Sequence, residues 1–264
     1  MRLLSLGSLK VQQAGSADTN AENIRSALAR DLPELVPAVC SHDGAFVIVA
    51  SGPSLPDHLD SIREDQNQGR PICAIKGAHD YLVEHGITPN LYISVEPRAD
   101  QKHRQIRLKQ ENCIYLLASR CHPDLFDSLK DYKIMLWHSW SDESECEVWK
   151  AERKFGIAGG TTSGLRAINV AYVLGFRKFI LYGMDSCLAK DKDTKRFSGE
   201  RVGSAWIADV IVGGRRFWAN GALTQQATEF QELYKYMPGL TIESKGDGLL
   251  SAIIAERKKR GLPA

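Results

Sequence analysis

Residues 45–54 read A-F-V-I-V-A-S-G-P-S, an unbroken apolar run that stops at a turn of small residues. Continuous rather than alternating hydrophobicity belongs to a strand covered on both faces, as in a parallel sheet. Working outward, the runs 72–75, 91–95, 113–118, 132–137 and 179–182 repeat the pattern, with amphipathic stretches between them. That rhythm predicts an α/β fold: a Rossmann-like, mostly parallel sheet flanked by helices.

In such a sheet, ligands bind beyond the carboxyl ends of the strands. Those positions are Ser51-Gly52-Pro53-Ser54, Lys76-Gly77, Glu96-Pro97-Arg98, Ser119-Arg120, His138-Ser139-Trp140 and Gly183-Met184-Asp185. A second small-residue loop, Gly159-Gly160-Thr161-Thr162-Ser163-Gly164, runs into the helical spacing Leu165, Ile168, Tyr172. Glycine allows close approach to the backbone, hydroxyls donate hydrogen bonds, and the N–H groups at a helix start favour anions. Two such loops predict a cradle for a nucleotide or diphosphate. Ser54, Thr162 and Ser163 can equally cap helices, and a cap position is also one where an anion binds.

Composition sets bounds. With 264 residues and 43% hydrophobic content, the chain can bury a sizeable core. The net charge of +2 lacks the basic excess of a dedicated nucleic-acid binder. Six scattered cysteines form no C-x-x-C pair, which fits reduced thiols and a cytoplasmic setting. Met1–Gly7 is briefly apolar, but Lys10 interrupts it sooner than a secretory segment would allow, and no stretch has the roughly 20 apolar residues that span a bilayer. A P-loop, a G-x-G-x-x-G turn after the first strand, an H-E-x-x-H helix and a G-x-S-x-G elbow are all missing.

Residues 1–44 read as an N-terminal extension with one helix over 21–30, after a cap at Asp18-Thr19-Asn20, and 45–264 as the nucleotide-binding domain. Beyond Asp185, the charged stretch 190–196 and a hairpin turning at Gly213-Gly214 suggest a flap, and a helix over 223–237 presents Leu223, Ala227, Phe230 and Tyr234. Residues 241–243 suggest a last strand, and 256–260 the polar end of a terminal helix.

Four motifs, V-I-V-A-S-G-P-S-L (47–55), H-G-I-T-P-N-L-Y-I-S-V-E-P-R (85–98), G-G-T-T-S-G-L-R-A (159–167) and I-L-Y-G-M-D (180–185), resemble the archaeal 6-hydroxymethylpterin diphosphokinase-like family and its phage and bacterial relatives. The Gly-Pro-Ser-Leu and Gly-x-Asp elements are also similar to those of bacterial sialyltransferases. The resemblance matches Gly52, Pro53 and Ser54 to the first phosphate-side loop, Gly160, Thr162, Ser163 and Gly164 to the second, and Asp185 to a strand-end acid. Asn90 and Glu96 stand where family members often have Asp.

The resemblance implies diphosphate transfer from ATP to a hydroxymethyl group on a pterin-like acceptor, with Mg2+. Glu96 and Asp185, each after an apolar strand, are then candidates for catalysis and for holding the metal, although either could serve in a salt bridge or cap. Lys76 and Arg98 could contact phosphate oxygens, together with Thr161 and its loop. His138 beside Trp140 could be a base or a stacking wall, or simply structural. Asn220 could reach a base or ribose. Nucleotide-sugar glycosyl transfer and a non-catalytic nucleotide-binding accessory role remain alternatives. The expected partners are a small-molecule nucleotide and its acceptor, and self-association stays open.

Overall fold

The computed structural model describes residues 16–98, 106–140 and 143–264, so Met1–Gly7 lies outside the described residues. The first helix, α1 (Ala17–Leu28), begins earlier than its sequence suggested. Ser16 supplies the cap, its hydroxyl accepting from the Thr19 N–H at 3.2 Å, while Asp18 falls in the first turn, where a negative charge is favoured.

The chain continues through β1 (His42–Val49), a 3-10 turn at Leu55–His58, α2 (Leu59–Asn67), β2 (Ile72–Ile75), α3 (Ala78–Glu84), β3 (Leu91–Ser94), β4 (Ile114–Ala118), α4 (Pro123–Ser128), β5 (Lys133–Ser139), α5 (Glu143–Ala151), β6 (Gly156–Ile157), α6 (Ser163–Val173) and β7 (Phe176–Tyr182). The last third holds β8 (Ile207–Val212), β9 (Arg215–Asn220), α7 (Gly221–Tyr236), β10 (Thr241–Ser244) and α8 (Leu249–Lys259).

Eight strands form one parallel sheet in the order β10-β7-β1-β2-β3-β4-β5-β6. Val47, Ile48 and Val49 are fully buried, and every residue of β2 is buried, because helices cover both faces. The chain steps outward from β1 to β6 and then returns to lay β7 on the other side of β1. The order therefore reverses between β1 and β7, and the crevice above that junction is where doubly wound sheets take ligands.

The segment before β1 packs into the body. α1 lies against α4 and α5, with Ile24 buried beside Cys146 and Trp149. The Leu35 N–H donates to the Leu136 carbonyl at 2.8 Å, and β1 itself starts three residues ahead of position 45. The amide of Asn23 on α1 donates to the Pro97 and Arg120 carbonyls, 3.1 Å each, pinning two loops at the strand ends.

β8 and β9 form the expected hairpin. Gly213 and Gly214 both have positive φ (58° and 80°), as a tight two-residue turn requires. α7 is capped by Asn220, whose side-chain oxygen accepts from the Leu223 N–H at 3.0 Å. Its core face is Thr224, Ala227, Phe230 and Leu233, while Leu223 and Tyr234 are only partly buried. All six cysteines are free thiols, and five are buried. Among the described residues no helix is long and apolar enough to cross a membrane.

Candidate functional site

The two small-residue loops meet at one cavity of about 380 Å³. It is lined from the ends of β7, β1, β2 and β3 and by Arg120 just past β4. Five neighbouring strands at about 4.8 Å spacing make this rim roughly 19 Å long. The rest of the lining comes from the start of α6, the start of α7 and Lys195-Arg196 of the charged loop. Of the sequence candidates, Gly52, Lys76, Glu96, Arg98, Thr161, Thr162, Ser163, Gly164 and Asp185 line the cavity, as does Asn220. Pro53, Ser54 and Gly160 do not.

Ser54 is instead committed to Asp185, which does line the cavity. Its hydroxyl donates to Asp185 Oδ1 at 2.6 Å and its amide to Oδ2 at 3.1 Å, across the β1–β7 junction. Gly52 makes this possible. A Cβ there would sit 2.2 Å from Asp185 Oδ2 and 2.4 Å from the Gly183 carbonyl, to which the Gly52 N–H donates at 2.7 Å. Burial raises the Asp185 pKa, and the two Ser54 bonds offset part of that rise.

Glu96 is set differently. Burial pushes its pKa up, but Arg98 (2.7 Å) and Lys76 (3.1 Å) outweigh that and hold it at about 2, so it is ionised at any physiological pH. Lys76 adopts a left-handed backbone (φ 51°), as does Ser186 (φ 52°). Both line the cavity, and such strain in non-glycine residues concentrates at functional sites.

In the second loop, Gly159 and Gly160 have positive φ, and a Cβ at Gly160 would fall 2.5 Å from Leu165. Packing against α6, rather than ligand access, explains glycine there. Thr162 caps α6, its hydroxyl accepting from the Leu165 N–H at 3.4 Å and from Gln226 Nε2 at 2.8 Å. Gln226 in turn accepts from the Ser186 hydroxyl at 2.7 Å, so one buried amide ties the α6 loop, α7 and the β7 loop together. Ser163 and Gly164 occupy the first turn, where N–H groups have no intrahelical acceptor. The Thr161 amide and hydroxyl are held by the Glu229 carboxylate, at 2.8 and 3.0 Å. A carboxylate thus sits where an anion was expected.

Among the described lining residues, Lys76, Arg98, Arg120, Arg166, Lys195 and Arg196 are basic, against Glu96 and Asp185. Such a surface draws in anions. Sequence reasoning placed Arg120 on the rim without assigning it a role, and missed Arg166 and Gln226. Arg166 is buried, donating to the Ser139 hydroxyl (2.8 Å) and the Trp140 carbonyl (3.1 Å). One signal was a charged residue inside the apolar run 165–173. Gln226 gave none.

Two other candidates serve elsewhere. His138 is buried against Trp149 with Glu34 3.4 Å away, and burial lowers its pKa below 6.5. Asn90 Oδ1 accepts from the Ile72 N–H at 2.9 Å, at the end of the sheet away from the cavity. Among the described residues no three His, Cys, Asp or Glu side chains converge as a metal site.

Comparisons with known proteins agree with this architecture. The family model described as "6-hydroxymethylpterin diphosphokinase MptE-like" matches residues 18–191, which run from α1 through the Ser54–Asp185 junction. No curated protein sequence matches the chain. Among solved structures, the MAf glycosyltransferase from Magnetospirillum magneticum AMB-1 superposes with a TM-score of 0.67 at 15% identity, a likeness of fold. The match covers 90% of this chain and 38% of that one, so the chain spans well under half of that protein's length.

Proposed function

We propose that this chain, which belongs to the 6-hydroxymethylpterin diphosphokinase MptE-like family, binds a nucleoside polyphosphate and transfers its diphosphate to the hydroxymethyl group of a pterin-like acceptor. The observation that carries this reading is the meeting of the two small-residue loops in one basic cavity at the strand-order reversal. With ATP as donor, the acceptor oxygen forms a bond to the β-phosphorus, the bond from that phosphorus to the α,β-bridging oxygen breaks, and AMP leaves with the electron pair. Asp185 takes the hydroxyl proton. Burial moves its pKa towards the operating range, which suits a general base.

Neither carboxylate is arranged as a protein-held magnesium site: Glu96 is ion-paired to Lys76 and Arg98, and each Asp185 oxygen already accepts one bond from Ser54, leaving a single further lone pair that the acceptor's proton uses. Neutralisation of the phosphates falls instead to the basic side chains, with Glu96 fixing Lys76 and Arg98 in place. The same engaged carboxylates favour a second reading, glycosyl transfer from a nucleotide sugar, in which the basic wall stabilises the departing nucleotide.

The test is to incubate the protein with ATP and 6-hydroxymethylpterin, and separately with cytidine nucleotide sugars, and to resolve the products by mass spectrometry. AMP and a pterin diphosphate are expected. Release of cytidine nucleotide with no AMP would replace the first reading by the second, and turnover of neither would remove both.

A further inference from the structure

One indole stands in water just ahead of the hairpin whose second strand ends at the basic cavity. Trp206 keeps 66% of its surface exposed. It directly precedes β8, and the hairpin register sets the next residue, Ile207, opposite Asn220. Asn220 lines the cavity together with Ala222 and Leu223 at the start of α7. Opposed residues on antiparallel strands lie about 5 Å apart, so Trp206 is rooted within a side chain's length of the cavity mouth.

The segment that leads to Trp206 runs along the cavity and is tied to the β1 turn. Lys195 and Arg196 line the cavity, the Phe197 N–H donates to the Ser51 carbonyl at 3.2 Å, and the Val202 N–H donates to the Asp193 carbonyl at 3.0 Å. The described lining side chains are charged, amide, hydroxyl or aliphatic, with cysteine and methionine, and none is aromatic. The cavity therefore offers charge but no flat apolar surface of its own, and Trp206 is the exposed aromatic that the adjoining hairpin supplies. Those are the two halves of a nucleotide's chemistry.

We infer that Trp206 is the stacking platform for the base of the nucleotide whose phosphates lie in the cavity, an inference that rests on the polyphosphate reading above. Stacking uses the π-face that every base presents, so the platform favours a nucleotide over bare polyphosphate while discriminating little between bases. It also withdraws the exposed indole from water.

Calorimetric titration of the wild type, Trp206→Ala and Trp206→Phe with ATP, CTP and inorganic tripolyphosphate tests this. The wild type is expected to bind both nucleotides roughly ten-fold more tightly than tripolyphosphate. Trp206→Ala should erase that advantage while leaving the tripolyphosphate affinity within about two-fold, and Trp206→Phe should restore most of it. Circular dichroism melts confirm that both variants fold. The platform is refuted, with the polyphosphate reading intact, if Trp206→Ala keeps the nucleotide advantage or if wild-type protein shows none. If neither tripolyphosphate nor nucleotide binds the wild type, the polyphosphate reading fails and takes this inference with it.

Discussion

Substituting Gly52 by alanine should break the junction that organises the site. Its Cβ would lie 2.2 Å from Asp185 Oδ2 and 2.4 Å from the Gly183 carbonyl oxygen, the second a backbone atom that cannot swing aside. Relief requires the β1 turn to lift, which stretches the 2.7 Å Gly52–Gly183 bond and separates Ser54 from Asp185. Forcing a methyl group into a packed site costs about 1–3 kcal/mol, and leaving a buried carboxylate without its donors costs a further ~1.5–3 kcal/mol. The combined loss of about 2.5–6 kcal/mol corresponds to a fall in Tm of roughly 5–24 °C for a domain of this size. Gly44 is the internal control, being in β1 with nothing within 4 Å of an added Cβ. Differential scanning calorimetry should place Gly44→Ala within about 2 °C of wild type and Gly52→Ala far below it, with tripolyphosphate affinity lost in parallel. Equal melting of the two variants would refute the steric account of the junction.

Two further outcomes follow from the electrostatics. Because burial raises the Asp185 pKa above 3.8, there is a pH range between the unfolded and folded values in which the folded state holds a proton that the unfolded chain has released. This contribution to stability is therefore present in acid and lost as pH rises through the folded-state pKa. Asp185→Asn removes that loss, so its Tm relative to wild type should be higher at pH 8 than at pH 4, while turnover falls by about 100-fold or more; a parallel pair of pH–Tm curves would overturn the assignment. Glu229→Gln should loosen the carboxylate from Thr161 and raise tripolyphosphate affinity roughly 2- to 5-fold with little change in Tm. Unchanged affinity in a titration at low salt would mean that the Thr161 donors take no part in anion binding.

Much of the fold was legible because a strand buried on both faces must be apolar at every position, and 45–50, 72–75 and 179–182 are. The Gly213-Gly214 turn was equally readable, since few other residue pairs accept positive φ twice. The short β6, only Gly156–Ile157, was not, because two residues carry no period. The start of α1 was misjudged because Asp18, Thr19 and Asn20 are all good caps, and the choice fell to Ser16.

Residue types alone specified that small-residue loops would stand at the carboxyl ends of buried parallel strands, since periodicity and glycine content are local properties. They could not specify which hydroxyls face the cavity. Ser54 and Asp185 are 131 positions apart in the chain and meet only because β7 returns beside β1. The capture of Thr161 by Glu229, the Thr162–Gln226–Ser186 chain and the burial of Arg120 and Arg166 likewise belong to the tertiary structure. A hydrogen bond is decided within a few tenths of an ångström, and that precision arises only when distant segments are packed against one another.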